Sequence, residues 1–439
     1  MPPPFKRLFA LLILLGLAGG VYLAVFLRPG VPLKSTPAAH SCEEPASPGL
    51  SALAAPPDWK LLEIYQNTIT RGEFEALLTT VFTTGNAWQA TIEITDTEAR
   101  FQTGPKPTDP SFCLHFAETE TRAPRHWRTA AELPQATPEK PLSGLKIALD
   151  PGHIGGEWAK MEERWFVVGG GTPVCEGDMT LLVANLLKPR LEALGAVVSL
   201  VRKNSEPVTP IRPADLQTLA LDSSAPSDSP AARQRLAERL FYRTAEIRAR
   251  ADLVNQSLKP DLVLCLHFNA EAWGDPNQPT LIDRSHLHLL LNGAYTDEEV
   301  VLADQRFALL QKLLQQTHRE ETLVGSTIAA AFAEISQLPP YIYPPESSNV
   351  RPVPGQPYLW IRNLLANRLY DCPVIFMEPY VMNSTTDYAR IQAGDYAGLR
   401  EIAGKMRPSI FREYADAVTT GLAKHYSLAR ISPKPAVGR

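Results

Sequence analysis

Three apolar runs in this chain each stop at a residue able to bind or serve a metal, and this pattern constrains the fold more than any other feature. Leu145 to Leu149 leads into Asp150-Pro151-Gly152-His153, Leu262 to Leu266 leads into His267, and Val374 to Met377 leads into Glu378. Short apolar runs bounded by turn-formers read as buried strands. Helical patterns lie between them. Asp178 suits the N-cap of a helix carrying Leu182, Val183, Leu186, Leu187, Leu191 and Leu194, with a kink or break expected at Pro189 and a stop at Gly195. Ala196 to Val201 reads as the next strand, 232–257 as a helix, and His286 to Leu291 as another strand. Further helices are expected over 297–318, 326–335 and 409–425. Strands alternating with helices imply an α/β fold: a mostly parallel sheet flanked by helices. In such a sheet ligands collect at the carboxyl ends of the strands, where His153, His267 and Glu378 fall.

The 439 residues accommodate more than one unit, and 44% hydrophobic residues supply a sizeable core. Leu8 to Leu27 is uncharged over about 20 residues, the length of a bilayer-spanning helix. Lys6 and Arg7 precede it, so the short N-terminal tail is expected in the cytoplasm and the rest of the chain outside the inner membrane. A cleaved signal peptide is the competing reading, and either way the protein is exported. Residues 29–57 form a Pro/Ala/Ser-rich tether. Residues 58–130 read as a small α+β unit of unassigned role. Its helix opens on a Thr70–Glu73 capping box, and short strands follow. The main domain is expected over 144–425. The net charge of -4 gives no basis for nucleic-acid binding, which needs a basic face. Five cysteines leave at least one without a partner in the chain.

His153 follows a Pro-Gly turn at a strand end, Glu176 opens a helix, and His267 closes a strand. Two imidazoles and one carboxylate make a catalytic zinc set with a fourth position for water. Zinc acidifies that water and polarises a carbonyl, and a second carboxylate must then shuttle the proton, a role that suits Glu378. Glu162 or Glu163 would also bring a carboxylate near the metal, and Cys175 is a soft alternative ligand beside Glu176.

Asp150-Pro151-Gly152-His153-Ile154-Gly155-Gly156, Glu176 before a Leu-rich helix, Arg250 to Asn255, His267-Phe268-Asn269-Ala270 and Glu378 after an apolar strand resemble the zinc-dependent N-acetylmuramoyl-L-alanine amidase family of the amidase_3 type. The resemblance covers about residues 144–425. It implies a mostly parallel sheet, zinc held by His153, Glu176 and His267, and Glu378 as the catalytic carboxylate. The implied reaction is hydrolysis of the amide between N-acetylmuramic acid and L-alanine in peptidoglycan. Peptidoglycan and the inner membrane are the expected partners, with a protein activator a further candidate, and the periplasmic or extracytoplasmic side is the expected location. The sequence departs from the family pattern at Ile154, in the long stretch 155–175, and after Glu378, where an asparagine is present but shifted to Asn383. The insertions 155–175, 203–231 and 336–357 are of lid length, and one is expected to cover part of the zinc. Two other readings are a non-catalytic wall-binding or regulatory protein on the same fold, and a zinc peptidase cutting within the stem peptide.

Overall fold

The computed structural model describes residues 49–106, 108–223, 228–275 and 278–430. The expected membrane segment at 8–27 and most of the tether lie outside them. Among the described residues no helix is long and apolar enough to cross a membrane.

A 3-10 helix at Trp59–Tyr65 precedes helix α1 (Arg71–Leu77), where the Thr70 hydroxyl accepts the Glu73 N–H and so supplies half of the expected capping box. Strands β1 (Ile92–Ile94), β2 (Glu98–Gln102) and β3 (Ser111–His115) form an antiparallel sheet in that order. Phe74, Phe101, Phe112 and Leu114 from this part share one continuous core with the residues that follow.

Next come β4 (Lys146–Pro151), α2 (Trp158–Met161), a hairpin of β5 (Trp165–Phe166) and β6 (Val174–Cys175), α3 (Glu176–Ala193) and β7 (Val197–Leu200). Helices α4 (Gln217–Asp222), α5 (Pro230–Leu240) and α6 (Glu246–Asp252) lead to β8 (Leu262–Leu266) and β9 (Leu287–Leu291). Then follow α7 (Asp297–Val300), α8 (Ala303–Gln315), α9 (Thr317–Ser336), β10 (Arg351–Pro352), β11 (Leu359–Ile361), α10 (Leu365–Leu369), β12 (Val374–Pro379), α11 (Thr385–Gln392) and α12 (Ile410–Arg430).

Seven strands form the central sheet in the order β10-β11-β9-β12-β8-β4-β7. The half from β12 to β7 is parallel, as expected, whereas β9 runs antiparallel to β12 and β11 follows β9. Strand β8 is buried at every position, which is why it reads as an unbroken apolar run. On one face lie α3, α9 and α12. Phe411, Tyr414, Ala415, Val418 and Leu422 give α12 an apolar stripe at helical spacing.

Some local expectations are corrected. The helix after the first strand starts at Glu176, two residues before the expected cap. Asp178 lies inside its first turn, where it accepts the Gly156 N–H and the Ser205 hydroxyl. A polar side chain that looked like a cap is used to tie down the loop after His153. The helix continues through Pro189 to Ala193. Helix α9 starts at Thr317, nine residues earlier than its apolar pattern suggested, because Gln316 takes a left-handed conformation (φ 55°) and ends α8 there.

Candidate metal centre

Register puts the three strand-end residues side by side. In β4, Pro151 pairs with Leu266 of β8, and the Gly152 N–H donates to Leu266 O (2.9 Å). In β12, Met377 pairs with Leu266, and the His267 N–H donates to Met377 O (3.1 Å). His153, His267 and Glu378 therefore leave three adjacent parallel strands at the same end. Glu176 reaches them from the first turn of α3, where the helix dipole favours a carboxylate.

One nitrogen or oxygen from each of His153, Glu176 and His267 lies within 4.8 Å of the others. Glu176 Oε2 is 3.2 Å from His153 Nε2, and Oε1 is 3.3 Å from His267 Nδ1. Glu176 Oε1 also accepts the Phe268 N–H at 3.1 Å. The two imidazoles stand edge to face with centroids 4.9 Å apart. The His267 ring stacks on Phe376, one strand over, at 4.2 Å.

The backbone is shaped for this convergence. His153 adopts φ 61°, a left-handed conformation uncommon for non-glycine residues, and this turns the chain sharply at the end of β4. Arg250, buried on α6, holds that turn. It donates to Asp150 Oδ1 (2.8 Å), to the carbonyls of Pro151 and His153 (both 2.7 Å) and to Glu246 (2.7 Å). Asn255 binds Leu369 O and the Asp371 N–H. A Cβ on Gly152 would lie 2.1 Å from the His267 ring, and one on Gly177 would lie 2.4 Å from Gly155 N. Both positions need glycine because a ring and a backbone pass against them.

The insertion 155–175 supplies two groups. Glu162, 4% exposed, meets the far nitrogen of His153 (Nδ1 to Oε1, 3.0 Å) and accepts the Ile154 N–H at 2.8 Å. A carboxylate on the outer nitrogen is the usual support of a metal-bound histidine, since it fixes the tautomer and ring orientation. Arg164 brings Nε to 3.4 Å from both Glu176 Oε2 and His153 Nε2. Ile154, the departure after His153, is fully buried against Leu216, Leu240 and Phe241 and anchors the insertion. At the other end, Thr172 and Gln392 of α11 exchange hydrogen bonds, and Tyr388 donates to Val168 O. The insertion thus runs as a strap from His153 to the helix that follows Glu378.

The electrostatics suit a buried cation site. Burial opposes charge on His153, but Glu176 and Glu162 outweigh it and hold the imidazole up at about 9. Burial also opposes charge on Glu176, yet His153 and His267 keep its carboxyl well below the ordinary range. His267 is pushed down by burial and by the charge of His153. Glu378 is pushed up to about 8 by burial and by the neighbouring Glu176 carboxylate. A value close to neutral lets one carboxyl both accept and return a proton.

Cys175 is outside the cluster. It pairs with Trp165 in the hairpin, and burial raises its thiol to about 11, which disfavours the thiolate a metal requires. Glu163 is likewise outside it. Sequence reasoning placed a carboxylate of the insertion near the metal but did not distinguish Glu162 from Glu163 or find Arg164. Asn383, shifted along the chain, binds the backbone N–H and C=O of Glu271 (2.9 and 2.8 Å) and so ties the loop after His267 to the loop after Glu378. The donor set of two nitrogens and one oxygen, with Glu162 behind it, fits a zinc ion.

No family model matches this chain. No curated protein matches it either. Solved structures do resemble it: the N-acetylmuramyl-L-alanine amidase Ami1 from Mycobacterium smegmatis is 17% identical over 65% of this chain and 99% of its own, with a TM-score of 0.37. The CwlD amidase from Clostridioides difficile, in complex with the GerS lipoprotein, is 13% identical over 65% and 100%, with a TM-score of 0.36. The catalytic domain of CwlV, an N-acetylmuramoyl-L-alanine amidase from Bacillus (Paenibacillus) polymyxa var. colistinus, is 11% identical over 65% and 97%, with a TM-score of 0.33.

Proposed function

We propose that this chain is a zinc-dependent N-acetylmuramoyl-L-alanine amidase acting on peptidoglycan outside the inner membrane. The observation that carries the reading is the convergence of His153, Glu176 and His267 within 4.8 Å, with Glu378 on the adjacent strand end. A zinc ion held by those three side chains would supply a Lewis acid and acidify a water. Glu378 takes a proton from the attacking water and returns it to the leaving amine. Glu162 orients the His153 ring, and Arg250 holds the backbone of the His153 turn. The motifs from Asp150 to Gly156 and from His267 to Ala270 support the muramoyl amide as substrate. The uncharged run at Leu8 to Leu27 supports a membrane-anchored protein in the periplasmic or extracytoplasmic space.

The test is metal analysis of the purified protein together with digestion of wall sacculi and mass spectrometry of the products. Bound zinc and release of stem peptides with a free L-alanine amine are expected. Cleavage between amino acids of the stem would instead make it a peptidase, and zinc-loaded protein that releases nothing would leave a wall-binding protein. Glu378→Gln is expected to keep zinc and lose turnover by about 10²-fold or more, whereas His153→Ala loses the zinc.

A further inference from the structure

We propose that Arg164 is the anion-binding residue of this site: its guanidinium receives the amide oxygen as it gains charge, and then the carboxylate left on the acyl product. This rests on the amidase reading and adds a residue to it.

The backbone of Arg164 is clamped on both sides. Its N–H donates to Ala159 O at 2.9 Å, and its carbonyl accepts the Glu176 N–H at 3.2 Å. The strap around it is anchored to α11, and the side chain, 26% exposed, extends its Nε to Glu176 and His153. The contrast with Arg250 is informative. Arg250 makes contacts of 2.7–2.8 Å and is 4% exposed, which describes a structural arginine. Arg164 sits 3.4 Å from Glu176 and His153, longer than the 2.7–2.9 Å of a committed charge-assisted bond. Its other contact is from Nη1 to the Glu163 carbonyl at 3.2 Å, so among the described residues no carboxylate holds the guanidinium at the length of a committed ion pair.

Charge balance gives it a task. Glu162, Glu176 and Glu378 bring three carboxylates to this pocket, and a divalent ion offsets only two of them. Arg164 and Arg362 are the two arginines whose charge acts on Glu378, and of the two Arg164 also reaches Glu176 and His153. In the reaction the water oxygen adds to the carbonyl carbon while Glu378 takes one water proton. The C=O electron pair moves onto the oxygen, beside Arg164. When that pair returns, the C–N bond breaks and the nitrogen takes the proton from Glu378. The second water proton passes to the amine, so carboxylate and ammonium separate, and the carboxylate remains against the guanidinium.

The test compares wild type, Arg164→Ala and Arg164→Lys by three measurements: turnover on sacculi, calorimetric binding of N-acetylmuramic acid as the carboxylate probe, and zinc affinity by competition with a chromogenic chelator. Arg164→Ala is expected to lose about 10²-fold in kcat, the scale for one oxyanion donor. It should bind N-acetylmuramic acid about tenfold more weakly, the scale of one lost charge-assisted bond. It should hold zinc at least as tightly as wild type, since a competing cation is gone. Arg164→Lys should recover part of the loss, and guanidinium ion added to the alanine variant should restore part of its rate. Unchanged kcat and probe affinity in Arg164→Ala would overturn the assignment. Weakened zinc binding with activity regained at saturating zinc would overturn it too, reducing Arg164 to a prop for Glu176. A zinc-loaded wild type that frees no amine from sacculi would instead sink the amidase reading, and this assignment with it.

Discussion

Glu162→Gln tests the metal centre through a residue that would not touch the metal. Glu162 serves two donors with two oxygens, the His153 ring at 3.0 Å and the Ile154 N–H at 2.8 Å, and is 4% exposed. Glutamine has the same shape but one accepting oxygen. One donor must lose its partner, and the amide NH2 is turned toward a group that also donates. The lost negative charge makes the His153 ring a poorer ligand. Removing such a supporting carboxylate costs about 10–100-fold in metal affinity, or roughly 1.4–2.7 kcal/mol. The assay is zinc competition against a chelator of known affinity, with folding checked by circular dichroism. Glu163→Gln is the control, since that side chain lies outside the cluster and its loss should leave zinc binding unchanged. A Glu162→Gln protein that binds zinc within twofold of wild type would refute the reasoning, because His153 would then not depend on the carboxylate behind it.

Other outcomes follow from the same geometry. Gly152→Ala places a methyl 2.1 Å from the His267 ring, so zinc content should fall sharply in metal analysis even where the fold survives. Activity should rise with pH on an acid limb, because Glu378 must be ionised to accept the water proton. Burial and Glu176 raise its midpoint to about 8, bound divalent charge lowers it, and a limb between pH 4.5 and about 8 is expected in kcat/KM. Glu321 is fully buried and pushed up to about 7 by burial, so folding favours its neutral form. Stability from this group is full below its ordinary value of 4.5 and is lost as pH rises through about 7, a change of about 3 kcal/mol. Glu321→Gln should therefore unfold at higher denaturant than wild type at pH 8, with the gap closing below pH 4.5.

The strand ends can be read directly from the residues. Leu262 to Leu266 is apolar because both faces of β8 are covered, and a chain leaving such a strand can place a polar residue only at its end. His153, His267 and Glu378 were legible for that reason, and Glu176 because it opens an apolar helix. The fold class was legible from alternating strands and helices, but the reversed direction of β9 and β11 was not, since pairing direction leaves no trace in local periodicity. Tertiary structure alone decided which carboxylate of the insertion faces His153. Glu162 and Glu163 are neighbours of one type, and the left-handed turn at Glu163 (φ 59°) separates their roles. It alone showed Arg164 at the pocket and Asp178 as a tie rather than a cap, because both depend on groups brought near only by folding. Local propensity acts over a few residues, whereas a metal site is assembled by register across strands that lie a hundred residues apart in the chain.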